Sequence, residues 1–109
     1  MTNTNDKNGT NDASDAGLVD ERDLQFRQMA DSFIDVANGC CEKQEPAMVS
    51  SSFLYGASRF CAFVVAAKTG DRDNYNAERD AAIDYYTNEF KAMLEENLND
   101  YSRVFDNEK

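Results

Sequence analysis

Between Pro46 and Lys68 the chain runs with a single weak point for a helix, Gly56, and with apolar side chains at most of its positions. Pro46 suits the first turn of a helix, where a missing N–H costs nothing. Placed at about 100° per residue, Val49, Phe53, Leu54, Ala57, Phe60, Cys61, Phe63, Val64, Val65 and Ala67 cover more than half of the wheel. A helix so wide in its apolar face cannot stand alone in water. The sequence therefore predicts a helix over about 47–68 as the central and most buried element, with other helices packed around it. The remaining strip, Ser51, Ser52, Tyr55, Arg59, Ala62 and Ala66, mixes small and polar groups. The segment is long enough to cross a bilayer, but its serines and the Arg59 near its middle make insertion costly, so no membrane partner is expected.

Two flanking segments supply the companions. From Phe26 the residues Phe26, Met29, Ala30, Phe33, Ile34 and Ala37 fill every slot of the i, i+3, i+4, i+7, i+8, i+11 template, which predicts an amphipathic helix over about 20–38. Asp20 is the expected cap and Asn38-Gly39 the expected left-handed stop. After Thr69-Gly70-Asp71-Arg72-Asp73, a stripe of Ile83, Tyr86, Phe90, Met93, Leu94, Leu98, Tyr101, Val104 and Phe105 runs without Gly or Pro. It predicts a third helix over about 75–105, capped by Asp73 or Asn74, with a break expected near Asn97 to Asp100. The fold class is thus all-α, a small antiparallel three-helix bundle. Residues 1–17 hold no aliphatic or aromatic side chain after Met1 and read as a disordered polar tail ahead of one helical domain over 18–109. No secretory signal is visible, so a cytoplasmic location is expected.

Charge and composition narrow the chemistry. The 11 Lys and Arg face 21 Asp and Glu, a formal charge of -10, which repels a polyphosphate backbone and argues against nucleic-acid binding. The absence of His removes the common general base and the imidazole of Ser/His and Cys/His pairs. Cys40, Cys41 and Cys61 form no C-x-x-C, and without His they are too few for a closed tetrahedral metal site. Cys61 is expected as a small buried hydrophobe, and Cys40-Cys41 as exposed thiols in a connector. Read as a calcium loop from Asp71, the chain fails at Tyr75, Asn76 and Ala82. Glu95-Glu96, Asp80 and Asp84 lie on wet faces where a carboxyl would not keep its proton. No catalytic residue, metal or cofactor is therefore assigned.

Four blocks carry a resemblance: Phe33-Ile-Asp-Val-Ala-Asn38, Phe53 to Ala67, Arg79-Asp-Ala-Ala-Ile-Asp-Tyr-Tyr86, and Met93 to Tyr101. Together they resemble a family of short acidic bacterial proteins known only as a domain of unknown function, over about residues 26–105. The resemblance implies a small all-helical cytoplasmic protein and supplies no reaction, ligand or partner. It draws attention to Asp35, Asn38, Arg59, Asn97 and Asp100.

Of these, Asn97 interrupts the apolar stripe and should find a hydrogen-bond partner on a neighbouring helix or loop, fixing register. Arg59 borders an apolar face and should pair with a carboxylate, Asp35 being the preferred mate. Tyr55, Arg59, Ala62 and Tyr85 lie on strips neither fully apolar nor strongly charged, as at subunit interfaces. The function expected from these features is a non-enzymatic protein-interaction module, self-associating as a homodimer or docking a protein partner. The alternative is a small-anion binder or minor enzyme using Arg59, Asp35, Asn38 and Asn97 around an inter-helix cavity.

Overall fold

In the computed structural model the backbone is described for residues 12–107 and side-chain burial for residues 20–106. The protein is all-α. Helix α1 spans Asp12–Cys40, α2 spans Pro46–Thr69, α3 spans Arg72–Tyr101, and a 3-10 helix, η1, follows over Ser102–Asn107. No strand occurs among the described residues. Residues 1–11 of the expected polar tail lie outside the described set, and residues 12–17 form the first turns of α1.

The chain divides into two compact units, Met1–Tyr55 and Gly56–Lys109. In the first, Val49 is the one residue classed as buried among those described, at 9% exposure, and Ala30 and Ala37 of α1 are half-buried. Ala30 and Ala37 are seven apart and so share a face of α1. The Asn38-Gly39 stop expected for α1 is not the device that ends it. The helix continues through Gly39 to Cys40, and the Cys41 N–H is shared between the carbonyls of Ala37 and Asn38 at 3.0 and 3.1 Å. The chain then closes through turn bonds from Glu42 to Gly39 and from Lys43 and Gln44 to Cys40. Asp20, expected as the cap, lies inside α1, because the helix starts at Asp12, eight residues before the expected start.

In the second unit, the later part of α2 and α3 form an antiparallel helical hairpin. Its turn is set by Gly70, the one positive-φ glycine among the described residues at φ 80°, a conformation that a side chain disfavours. Asp71 caps α3: its Oδ1 accepts from the Asn74 N–H at 2.9 Å, and its Oδ2 from Asn74 Nδ2 at 3.0 Å. The expected caps Asp73 and Asn74 are instead first-turn residues, since the left-handed Gly70 makes Asp71 the extended residue that precedes the helix. Antiparallel pairing follows from two contacts: Asn74 Nδ2 donates to the Thr69 carbonyl at 3.5 Å near the turn, and Tyr86 meets the Cys61 side chain further along. The expected break near Asn97 to Asp100 falls slightly later, where α3 tightens into η1 at Ser102. Ser102 Oγ donates to the Asn99 carbonyl there, at 2.6 Å.

Candidate functional site: a helical hairpin with open apolar flanks

The residues half-buried in the hairpin mark the line along which its helices meet: Cys61, Val64, Val65 and Thr69 on α2, and Tyr75, Ala82 and Tyr86 on α3. Beside that line runs an open groove of about 630 Å³, floored by Val64, Val65, Ala81 and Ala82 and edged by Lys68, Thr69, Glu78, Tyr85 and Tyr86. A smaller hollow of about 390 Å³ sits at the turn, around Gly70, Asp71, Arg72 and Tyr75. Tyr85 and Tyr86 pack edge to face with ring centroids 5.1 Å apart. Burial raises the Tyr86 phenol above its ordinary value near 10, and the Cys61 thiol and Tyr85 push in the same direction. Cys61, expected to be buried, is half-buried at this contact.

Away from that line the apolar side chains stay open. Phe60 and Phe63 of α2 are 65% and 63% exposed and touch each other, with ring centroids 5.9 Å apart. Among the described residues α2 is the most covered helix, as expected, holding the one buried side chain, Val49, and four half-buried ones, yet it also keeps a wide exposed face. By length and composition α2 is also apolar enough to cross a membrane. From Phe90 to Phe105, five apolar side chains of α3 and two of η1 are 44% to 71% exposed. At about 100° per residue, the stripe of Ile83, Phe90, Leu94 and Tyr101 is turned roughly 80° forward from the contact line of α3. Phe60 is turned roughly 110° backward from the contact line of α2, and Phe63 further still. Because the helices run in opposite directions, a forward turn on one and a backward turn on the other lead to opposite sides of the hairpin. The hairpin is therefore apolar on both sides.

The singled-out polar residues do not gather at one centre. Asn97 is exposed, and its Nδ2 donates to the Met93 carbonyl of its own helix at 2.9 Å. The expected bond to a neighbouring helix is replaced by a local one, because no helix faces that part of the stripe within its unit. Arg59 is exposed, and within its own unit it makes no ion pair among the described residues; Asp35 lies in the other unit and is exposed. Every ion pair among the described residues joins neighbours in sequence: Arg27–Asp23, Arg79–Asp80, Lys91–Glu95 and Arg103–Asp100. Asn38 contributes only its backbone carbonyl to the turn after α1. Ala62 is exposed on α2, Tyr85 edges the groove, and Tyr55, 64% exposed, ends the first unit. Cys40 and Cys41 are exposed. No group of three or more metal-binding side chains occurs among the described residues.

The fold and its open flanks define a small all-α protein built on a helical hairpin whose apolar surface exceeds what the hairpin itself covers. The chain belongs to the family described as Protein of unknown function (DUF3144), which matches residues 26–102, from the periodic part of α1 through the end of α3. No curated protein and no solved structure matches it.

Proposed function

We propose that this protein is a non-enzymatic helical interaction module that works in water by covering its open apolar flanks with protein. One observation carries the reading: the largest exposed side chains of the Gly56–Lys109 unit are aromatic and aliphatic, and they form continuous stripes rather than scattered single residues. Isolated surface hydrophobes need no explanation, but contiguous ones mark an association surface. Arg59 and the serines of α2 support a protein partner over a lipid one, since a guanidinium near the centre of a bilayer is costly. The cytoplasm is the compartment that fits this reading. The small-anion alternative loses support, because neither Arg59 nor Asn97 lines the groove and its one cation, Lys68, shares the rim with Glu78.

Light scattering over a concentration series tests the reading. A species heavier than the 12.3 kDa chain, growing with concentration, is expected. A constant single-chain mass, with cooperative melting and no binding of an apolar-surface dye, would remove it.

A further inference from the structure

We propose that the adjacent thiols of Cys40 and Cys41, at the end of α1, form a two-sulfur binding site for a trivalent arsenical, a role independent of the interaction-module reading. Both thiols are free and exposed, whereas Cys61 is half-buried beside Tyr86. Packing therefore accounts for Cys61 and not for the pair. The backbone beneath the pair is held in place. The Cys41 N–H is shared by the Ala37 and Asn38 carbonyls, and the Cys40 carbonyl accepts from the Lys43 and Gln44 N–H groups at 3.1 and 2.9 Å. Two sulfur donors thus stand on a fixed turn, with only their own side-chain torsions to settle on binding.

The donor set selects the ligand. Across the trans peptide that joins the two residues, consecutive Cα atoms lie about 3.8 Å apart, short of the roughly 4.4–6.8 Å that disulfides usually span. A direct bond between these neighbours is strained, which favours the reduced dithiol. An atom bonded to both sulfurs holds them wider apart and relieves that strain. Structural zinc takes four protein ligands, and no group of three or more metal-binding side chains occurs among the described residues. Trivalent arsenic is thiophilic, needs only two sulfurs beside its carbon, and bonds them at angles that suit neighbouring residues. With phenylarsine oxide as the probe, both S–H bonds and the arsenic–oxygen bonds break, two As–S bonds form, and the oxygen leaves with both protons as one water. Arsenic stays trivalent, so no oxidant or reductant enters. The product carries no charge, which suits the negative end of the α1 dipole, where a thiolate is disfavoured.

The test is a titration of the full chain, reduced with a phosphine, with phenylarsine oxide, followed by intact-mass spectrometry and by counting free thiols after unfolding. The expected result is one adduct per chain, heavier by the arsenical less one water, with the thiol count falling from three to one. Cys40→Ala and Cys41→Ala should each weaken binding at least about a hundredfold, because the remaining sulfur has no intramolecular second. Cys61→Ala should leave it within a few-fold. Both replaced side chains of the pair are exposed, and circular dichroism checks that helicity is kept. An adduct that keeps full affinity in Cys40→Ala or Cys41→Ala, that requires Cys61, or that consumes a single thiol would overturn the site. None of these outcomes bears on association between chains, which light scattering reads separately.

Discussion

The two ends of α3 carry the same kind of apolar pattern and meet different fates. Near the Gly70 turn, Tyr75, Ala82 and Tyr86 of α3 and Cys61, Val64, Val65 and Thr69 of α2 are each half-buried, and Tyr86 meets Cys61. Beyond Phe90, side chains of equal or greater hydrophobicity stand open to solvent up to η1. The difference lies in topology rather than composition. Within their unit the part of α2 from Gly56 to Thr69 is about half as long as α3, and the apolar periodicity of α3 continues past what those residues can serve. An apolar stripe thus records a demand for a partner without saying whether the same chain supplies it.

The comparison can be broken first with a charge. Val64→Asp places a carboxylate in the helix contact and should cost the hairpin about 3 kcal/mol, seen as loss of cooperative melting. The same kind of change at Leu98, which is 61% exposed, measured in dilute protein, should leave helicity and melting within about 0.5 kcal/mol of the parent. Next in size is the turn. Gly70→Ala should destabilise by about 1 kcal/mol from backbone strain alone, since no atom lies within 4 Å of the added carbon. Asp71→Ala removes the α3 cap and should cost a comparable or slightly smaller amount, about 1 kcal/mol, in chemical denaturation.

Alkaline titration sharpens the contrast between the ends. The folded hairpin raises the Tyr86 pKa and so favours its neutral phenol. This contribution is fully present below the unfolded value near 10 and is lost as pH rises through the higher folded value. Melting measured across that window should fall with pH, and Tyr86→Phe should flatten the dependence. The smallest effect is expected at Lys91, whose pair with Glu95 is exposed on both sides; Lys91→Ala should change stability by less than about 0.5 kcal/mol.

Much of this was legible in the sequence, and the gaps have physical causes. The i, i+3, i+4 spacing of Phe26 to Ala37 and the uninterrupted apolar run after Pro46 are properties of the helix itself, so the helices could be read from one chain. The stops and caps were harder. Asn38-Gly39 and Thr69-Gly70 carry equivalent signals, and only the second takes a positive φ, because α1 can end through shared carbonyl bonds while the tight α2–α3 turn cannot. Asp71, Asp73 and Asn74 are all good caps, and the choice among them depends on the backbone at Gly70. Asn97 is exposed and bonds a carbonyl four residues back, an option the sequence cannot tell from a partner on another helix. The groove edged by Lys68, Glu78 and Tyr86 went unforeseen, since it arises from the register between two helices rather than from any motif.

The account turns on whether the open apolar flanks of the hairpin drive association between chains in water. Equilibrium sedimentation of the full chain from about 0.05 M to about 0.5 M salt tests it most directly. A monomer–dimer equilibrium that shifts toward dimer as salt rises is the predicted result. A chain that stays at 12.3 kDa across that range would contradict it.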